Sequence, residues 1–208
     1  MRGMRRIPLS RRSHIIGFQS SPVSGVTEHE SALERDFVTL TTFRDASAQI
    51  VSQPITLSFL EGSTRRRYTP DFLVHWSDGS SQVIEVKYRT DLHEKWRQLR
   101  PAFFAARAWA REQRASFRIA TERSIRSAVL ENAKRLLPLR AAPFDRALAD
   151  QLRATLACLC EPTFGSLAAA VPRERAAVLG ALWRMIARGE LRVDLTVPIG
   201  LRTPLALP

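Results

Sequence analysis

Asp71, Glu85 and Lys87 have the side-chain types and the spacing to hydrolyse a phosphodiester. Breaking such a bond at neutral pH requires an activated water, neutralisation of charge at phosphorus and stabilisation of the leaving oxygen. A carboxylate-held divalent cation supplies all three. Mg²⁺ takes one or two carboxylates alongside substrate phosphate and water, and Mn²⁺ accepts the same oxygen donors. Asp71 follows Pro70, which fixes the backbone and steers Thr69 towards an extended conformation. Glu85 and Lys87 stand two apart in Ile84-Glu85-Val86-Lys87, so in a strand they share a face while Ile84 and Val86 point to the other. The Lys87 ammonium can stabilise hydroxide or hold the scissile phosphate. An isolated E-x-K tripeptide is explained as well by a buried ion pair. The Pro-Asp start, the intervening Asp78-Gly79 turn and the apolar strand move the balance to catalysis.

The elements that must position these groups are readable from periodicity. Leu33, Phe37, Leu40 and Phe43 lie on one face of a helix over about residues 28–44. Ile55, Leu57 and Phe59 alternate with polar residues as a strand ending at Glu61-Gly62-Ser63. Residues 68–76 and 82–87 read as two further strands, making an antiparallel meander. Leu92, Trp96, Leu99, Phe103, Ala106 and Ala110 mark a long helix over about residues 91–113, with Trp96, Phe103 and Trp109 expected in the core. A short strand, Phe117 to Ala120, precedes a helix that Thr121 caps and that carries Ile125, Val129 and Ala133. The order α-β-β-β-α-β-α predicts an α+β domain, a mixed sheet flanked by helices, over residues 19–137.

Residues 138–143 hold two prolines and read as a linker. Beyond it, residues 144–208 give three helices, one with Phe144, Leu148, Leu152 and Leu156 on a face, then one from Phe164 to Val171 and one from Pro172 to Arg188. Leu191, Val193 and Leu195 follow as an alternating strand. Three helices and a β-segment are the outline of a small winged-helix-like domain, and an arbitrary helical domain fits the periodicity as well.

Composition narrows the partners. With 32 Lys plus Arg against 20 Asp plus Glu, the net charge is +12, which points to a polyanion, although an Arg-rich composition also follows from a GC-rich genome. Residues 1–18 form a basic arm with Arg2, Arg5, Arg6, Arg11 and Arg12 and no acid, whereas residues 145–208 are close to balance. The triplet Arg65, Arg66 and Arg67 is expected in the hairpin turn, gripping the DNA backbone or simply solvated. Arg89 could clamp a phosphate or pair with Asp91. His75 and His93 have no ligand-spaced partners. Cys158 and Cys160 build neither a disulfide framework nor a four-cysteine zinc site and are expected as buried thiols. No apolar run reaches the ~20 residues that span a bilayer, and the basic start lacks a continuous apolar stretch, so the reading is a cytoplasmic, nucleoid-associated bacterial protein.

The stretches Glu30-Ser31-Ala32-Leu33-Glu34-Arg35-Asp36-Phe37, Ser52-Gln53-Pro54, Tyr68-Thr69-Pro70-Asp71-Phe72-Leu73-Val74 and Ile84-Glu85-Val86-Lys87 resemble the TnsA endonuclease family over about residues 28–136. The C-terminal region resembles that family's second domain more weakly. The resemblance implies a restriction-endonuclease-like PD-(D/E)xK core with two Mg²⁺ sites. It makes Asp71, Glu85 and Lys87 catalytic and adds Glu34 as the first-helix acid, so that Glu34, Asp71 and Glu85 are the metal ligands. Glu30 and Asp36 are nearby acids, and a solvated helix acid is the alternative for Glu34. The family's type member carries Gln where this chain has Glu85. The resemblance further implies cutting of double-stranded DNA at the 5′ transposon ends, together with a DDE-type transposase (TnsB-like) and an AAA+ regulator (TnsC-like). The alternatives are a free-standing restriction or repair nuclease of the same chemistry and a non-catalytic DNA-binding adaptor.

Overall fold

The computed structural model describes residues 17–21, 25–29, 31–143 and 145–208. The basic arm falls outside them except for its last two residues, and Glu30 and Phe144 also lie outside. The chain divides into two compact units, Met1–Arg126 and Ser127–Pro208.

In the first unit, strands β1 (Gly17–Ser21) and β2 (Gly25–His29) pair antiparallel. Helix α1 (Ala32–Arg44) starts where the Ser31 hydroxyl accepts the Glu34 N–H, satisfying one of the amides a helix leaves without an internal partner. The central sheet has four strands in the order β3-β6-β7-β8: β3 (Gln49–Ser52), β6 (Phe72–His75), β7 (Ser81–Val86) and β8 (Ser116–Ala120). Its first two pairings are antiparallel and β7–β8 is parallel, so the sheet is mixed. Helix α2 (Arg89–Glu112) makes the crossover that parallel pairing requires.

The expected meander is corrected in one respect. Strand β4 (Leu57–Glu61) does not join the sheet but pairs with β5 (Thr64–Tyr68) in a separate ribbon that turns at Gly62, φ 62°. The run 68–76 breaks at Thr69-Pro70-Asp71 because proline has no N–H to continue a ladder. Residues before the break belong to the ribbon and those after it to the sheet. The sheet's remaining antiparallel strand is β3, four residues with little alternation to announce it.

Register assigns the faces. Phe72 lies opposite Ile84, so Phe72, Val74, Ile84 and Val86 share one face, where Phe72 stacks on Phe37 of α1 with ring centroids 5.4 Å apart. The other face carries Leu73, Val83, Glu85, Phe117 and Ile119, and there Phe103 of α2 packs on Phe117 at 5.7 Å. The unit ends with α3 (Glu122–Ile125), whose Ile125 is buried.

The helix expected after Thr121 is split at Arg126, because Ser127 begins a new helix, α4 (Ala128–Leu136). That helix belongs to the second unit, so the division falls ahead of residues 138–143. These form a 3-10 turn and bends within the second unit, where Arg140 Nε donates to the Ala187 carbonyl. Helices α5 (Arg146–Cys158), α6 (Phe164–Ala170) and α7 (Arg175–Ala187) pack with α4 around Leu130, Leu152, Leu167, Leu182 and Met185. The expected strand at 191–195 is not formed. Buried Asn132 binds this segment instead, its Nδ2 donating to the carbonyls of Leu195 and Val197 at 3.0 and 2.8 Å. Isolated bridges, Thr163 with Pro204 and Arg192 with Ala206, stand where a wing would need strands. Cys158 and Cys160 are exposed, contrary to expectation, because they sit at and beyond the end of α5. No helix among the described residues is long and apolar enough to cross a membrane.

Candidate active site

The break at Pro70 places Asp71 one residue before β6, opposite the end of β7. Two backbone contacts hold it there. The Asp71 carbonyl accepts the N–H of Gln53 at 2.8 Å, and its Oδ2 accepts the Val86 N–H at 2.7 Å. Gln53 adopts φ 45° to make its bond, a conformation that costs a non-glycine residue about 1–3 kcal/mol and is kept only where the surroundings enforce it. Asp71 thus reaches β7 beside Glu85.

Glu85 is buried, at 3% exposure, in the middle of four buried β7 residues. Both of its oxygens are engaged: Oε1 pairs with Lys87 Nζ at 3.1 Å and Oε2 accepts the Tyr68 hydroxyl at 2.5 Å. The period-2 prediction for Glu85 and Lys87 therefore holds in space. Lys87 also extends the parallel pairing through its N–H to the Ala120 carbonyl at 3.0 Å.

Charge is concentrated here. Burial, then the charges of Glu85 and Glu34, push the Asp71 carboxyl well above the usual range, against the stabilising Val86 amide. Burial acts to lower the Lys87 pKa, but Glu85 and Asp71 outweigh it and hold the ammonium above the ordinary lysine value. Desolvation and Glu85 together raise the Tyr68 phenol, which therefore remains a donor. Glu34, in the first turn of α1, is near enough to act on Asp71 and Lys87, and its Oε1 accepts the Ser31 hydroxyl at 2.9 Å. Asp36 is turned elsewhere, its Oδ2 accepting Arg126 Nε at 3.2 Å.

Among the described residues, no group of three or more His, Cys, Asp or Glu side chains is arranged to hold a metal ion. The donor chemistry nevertheless fits Mg²⁺, which needs only one or two carboxylates when phosphate and water complete its shell. A buried carboxyl whose charge is opposed by burial and by neighbouring acids, as at Asp71, is the kind a divalent cation compensates. Asp71 and Glu85 are the pair to do so, with Glu34 tied to its helix cap at the margin.

The remaining candidates separate. Arg65, Arg66 and Arg67 are exposed on strand β5 and not in the turn, and Arg66 pairs with Glu61 at 3.1 Å. Arg89 opens α2 exposed to solvent, and its backbone N–H donates to Glu122. Asp91 is taken by Lys95 at 3.0 Å, so the Arg89–Asp91 pair is not formed. His75 is an exposed sheet residue bonded to Ser81. Trp96 is 45% exposed and not in the core. Tyr68 is the site residue that sequence reasoning passed over. The available signal was an aromatic residue ending an otherwise charged strand, immediately before Thr69-Pro70-Asp71.

Residues 45–122 match the model of the family described as TnsA-like endonuclease N terminal. The match supports a TnsA-type endonuclease. It spans β3 to the start of α3 and takes in Asp71, Glu85, Lys87, Tyr68 and the four arginines, while the TnsA-like segment leaves Glu34 outside its limits. No curated protein matches this chain.

Proposed function

We propose that the chain is a Mg²⁺-dependent DNA endonuclease, the subunit of a heteromeric transposase that hydrolyses phosphodiesters at the 5′ transposon ends beside a TnsB-like DDE transposase and a TnsC-like AAA+ regulator. The reading rests on one observation. Asp71, Glu85 and Lys87 converge at the facing ends of adjacent strands inside the segment that matches the TnsA-like endonuclease.

Asp71 and Glu85 would hold the cation, with Glu34 serving a second ion. Once bound, it supplies charge neutralisation at the phosphate and acidification of the attacking water. Lys87 keeps a proton on Nζ and presents a positive charge to the attacking oxygen or a phosphate oxygen. Tyr68 fixes the Glu85 carboxylate by donating to Oε2, so one rotamer is selected before substrate arrives. The exposed Arg65, Arg66, Arg67 and Arg89 are suited to the duplex backbone, where contacts set position and not sequence.

The test is cleavage of a transposon-end duplex in the presence of the DDE partner and Mg²⁺, with wild type compared to Asp71→Ala and Lys87→Ala. Each substitution is expected to reduce 5′-strand cleavage by about 10²-fold or more, with circular dichroism unchanged. Undiminished cleavage by both variants would remove the proposed centre. Strong cutting by the purified chain alone would favour a free-standing nuclease.

A further inference from the structure

Beside the candidate centre, on the same face of the sheet, α2 and β8 enclose an open groove of about 540 Å³ whose lining includes Trp96, Phe103, Phe104, Arg100, Arg107 and Arg118. No carboxylate lines it. Phe104 is 57% exposed, and with the half-exposed Trp96 it offers ring surface that the fold leaves uncovered. The Arg100 guanidinium lies over the Phe104 ring at 5.5 Å, and none of the three arginines forms an ion pair among the described residues.

The groove adjoins the site through two routes. Ile119, in its wall, is the register partner of Glu85 across the parallel β7–β8 pair. Phe103, at its floor, packs edge-on against Tyr68 at 6.1 Å, and Tyr68 donates to Glu85. A polymer positioned at Glu85 therefore has this groove as its next neighbour.

We propose that the groove binds unpaired nucleotides of a DNA strand, with bases stacked on Trp96 and Phe104 and phosphates paired with Arg100 and Arg107. Flat, exposed rings interleaved with unpaired guanidinium groups match the two repeating features of a single strand. A duplex buries its base faces and would leave the rings without a role. An acidic amphipathic peptide shares the charge, but the continuity with a nuclease centre favours nucleic acid. The proposal deepens the endonuclease reading and relies on it for that continuity.

The experiment measures anisotropy of fluorescein-labelled oligothymidylate with the full chain, against a duplex of equal length and polyglutamate as the acidic peptide. Trp96→Ala and Phe104→Ala remove exposed rings, so the fold is retained. Each is expected to weaken oligothymidylate binding on the order of tenfold, with duplex affinity unchanged. Equal oligothymidylate affinity in wild type and both ring variants overturns the proposal, as does ring-dependent binding of polyglutamate alone. Because the readout is binding without cleavage, a groove that fails while 5′ cleavage survives leaves the endonuclease reading standing. Loss of cleavage activity in the earlier assay would not alter these affinities.

Discussion

Burial, Glu85 and Glu34 all oppose a negative charge on Asp71. A folded-state pKa above the unfolded value, about 3.9, gives a contribution to stability that is present below about pH 4 and lost as the pH rises through the folded pKa. At neutral pH, where the unfolded carboxyl is ionised, this group is then a net cost to the metal-free fold. Asp71→Asn removes the charge and leaves an oxygen able to accept the Val86 N–H. Without Mg²⁺ at pH 7 it is expected to melt above wild type by about 2–4 °C, the response of a chain of this size to about 1 kcal/mol. Added Mg²⁺ should raise the wild-type Tm and leave the variant unmoved. Differential scanning fluorimetry with and without EDTA reads both, and a variant that melts lower without metal contradicts the electrostatic account. The acids and the lysine were legible because their types, their two-residue spacing and the Pro70 break all lie within short sequence range. Tyr68 was not, because its partner Glu85 is reached only when ribbon meets sheet.

Helices α1, α2 and α5 and strands β6 and β8 read correctly from apolar positions that recur with a single period, and β7 read correctly although its last four residues are all buried. Where two partners compete for a stretch, local pattern says less. Residues 57–61 alternate equally well for a sheet or a ribbon, and Pro70 decides between them through a missing amide. The same limit accounts for the C-terminal segment, where Leu191, Val193 and Leu195 alternate but the Leu195 and Val197 carbonyls are bound by Asn132 from a helix about sixty residues earlier in the chain. Trp96 falls on the helical period of α2 but at a margin that the sheet does not cover. The start of α1 has a direct test, because Ser31 both caps the helix and binds Glu34. Ser31→Ala is expected to lower stability by about 1 kcal/mol in urea titration, and Ser31→Thr to recover most of it. An unchanged midpoint for alanine would mean that the cap contributes nothing in solution.

Two units of unequal charge share the chain, and their division dictates where it can be cut. Ending the chain at Arg126 keeps α3 and the Arg126–Asp36 pair. Ending it at Phe144 retains α4, whose fully buried Leu130, Ala133 and Leu136 would lose the cover of α7. The longer fragment is therefore expected to bind more of a hydrophobic dye and to aggregate sooner, measured by dye fluorescence and light scattering at matched concentration. Equal behaviour of the two would place the domain limit later in the chain. Within the first unit, Tyr68 and Asp71 stand on either side of one proline, the former in the ribbon and the latter beside the sheet. The ribbon is thus a latch on Glu85. If it swings away, one carboxylate oxygen is released while the four-stranded sheet stays paired, so the site is lost at a smaller disturbance than the fold.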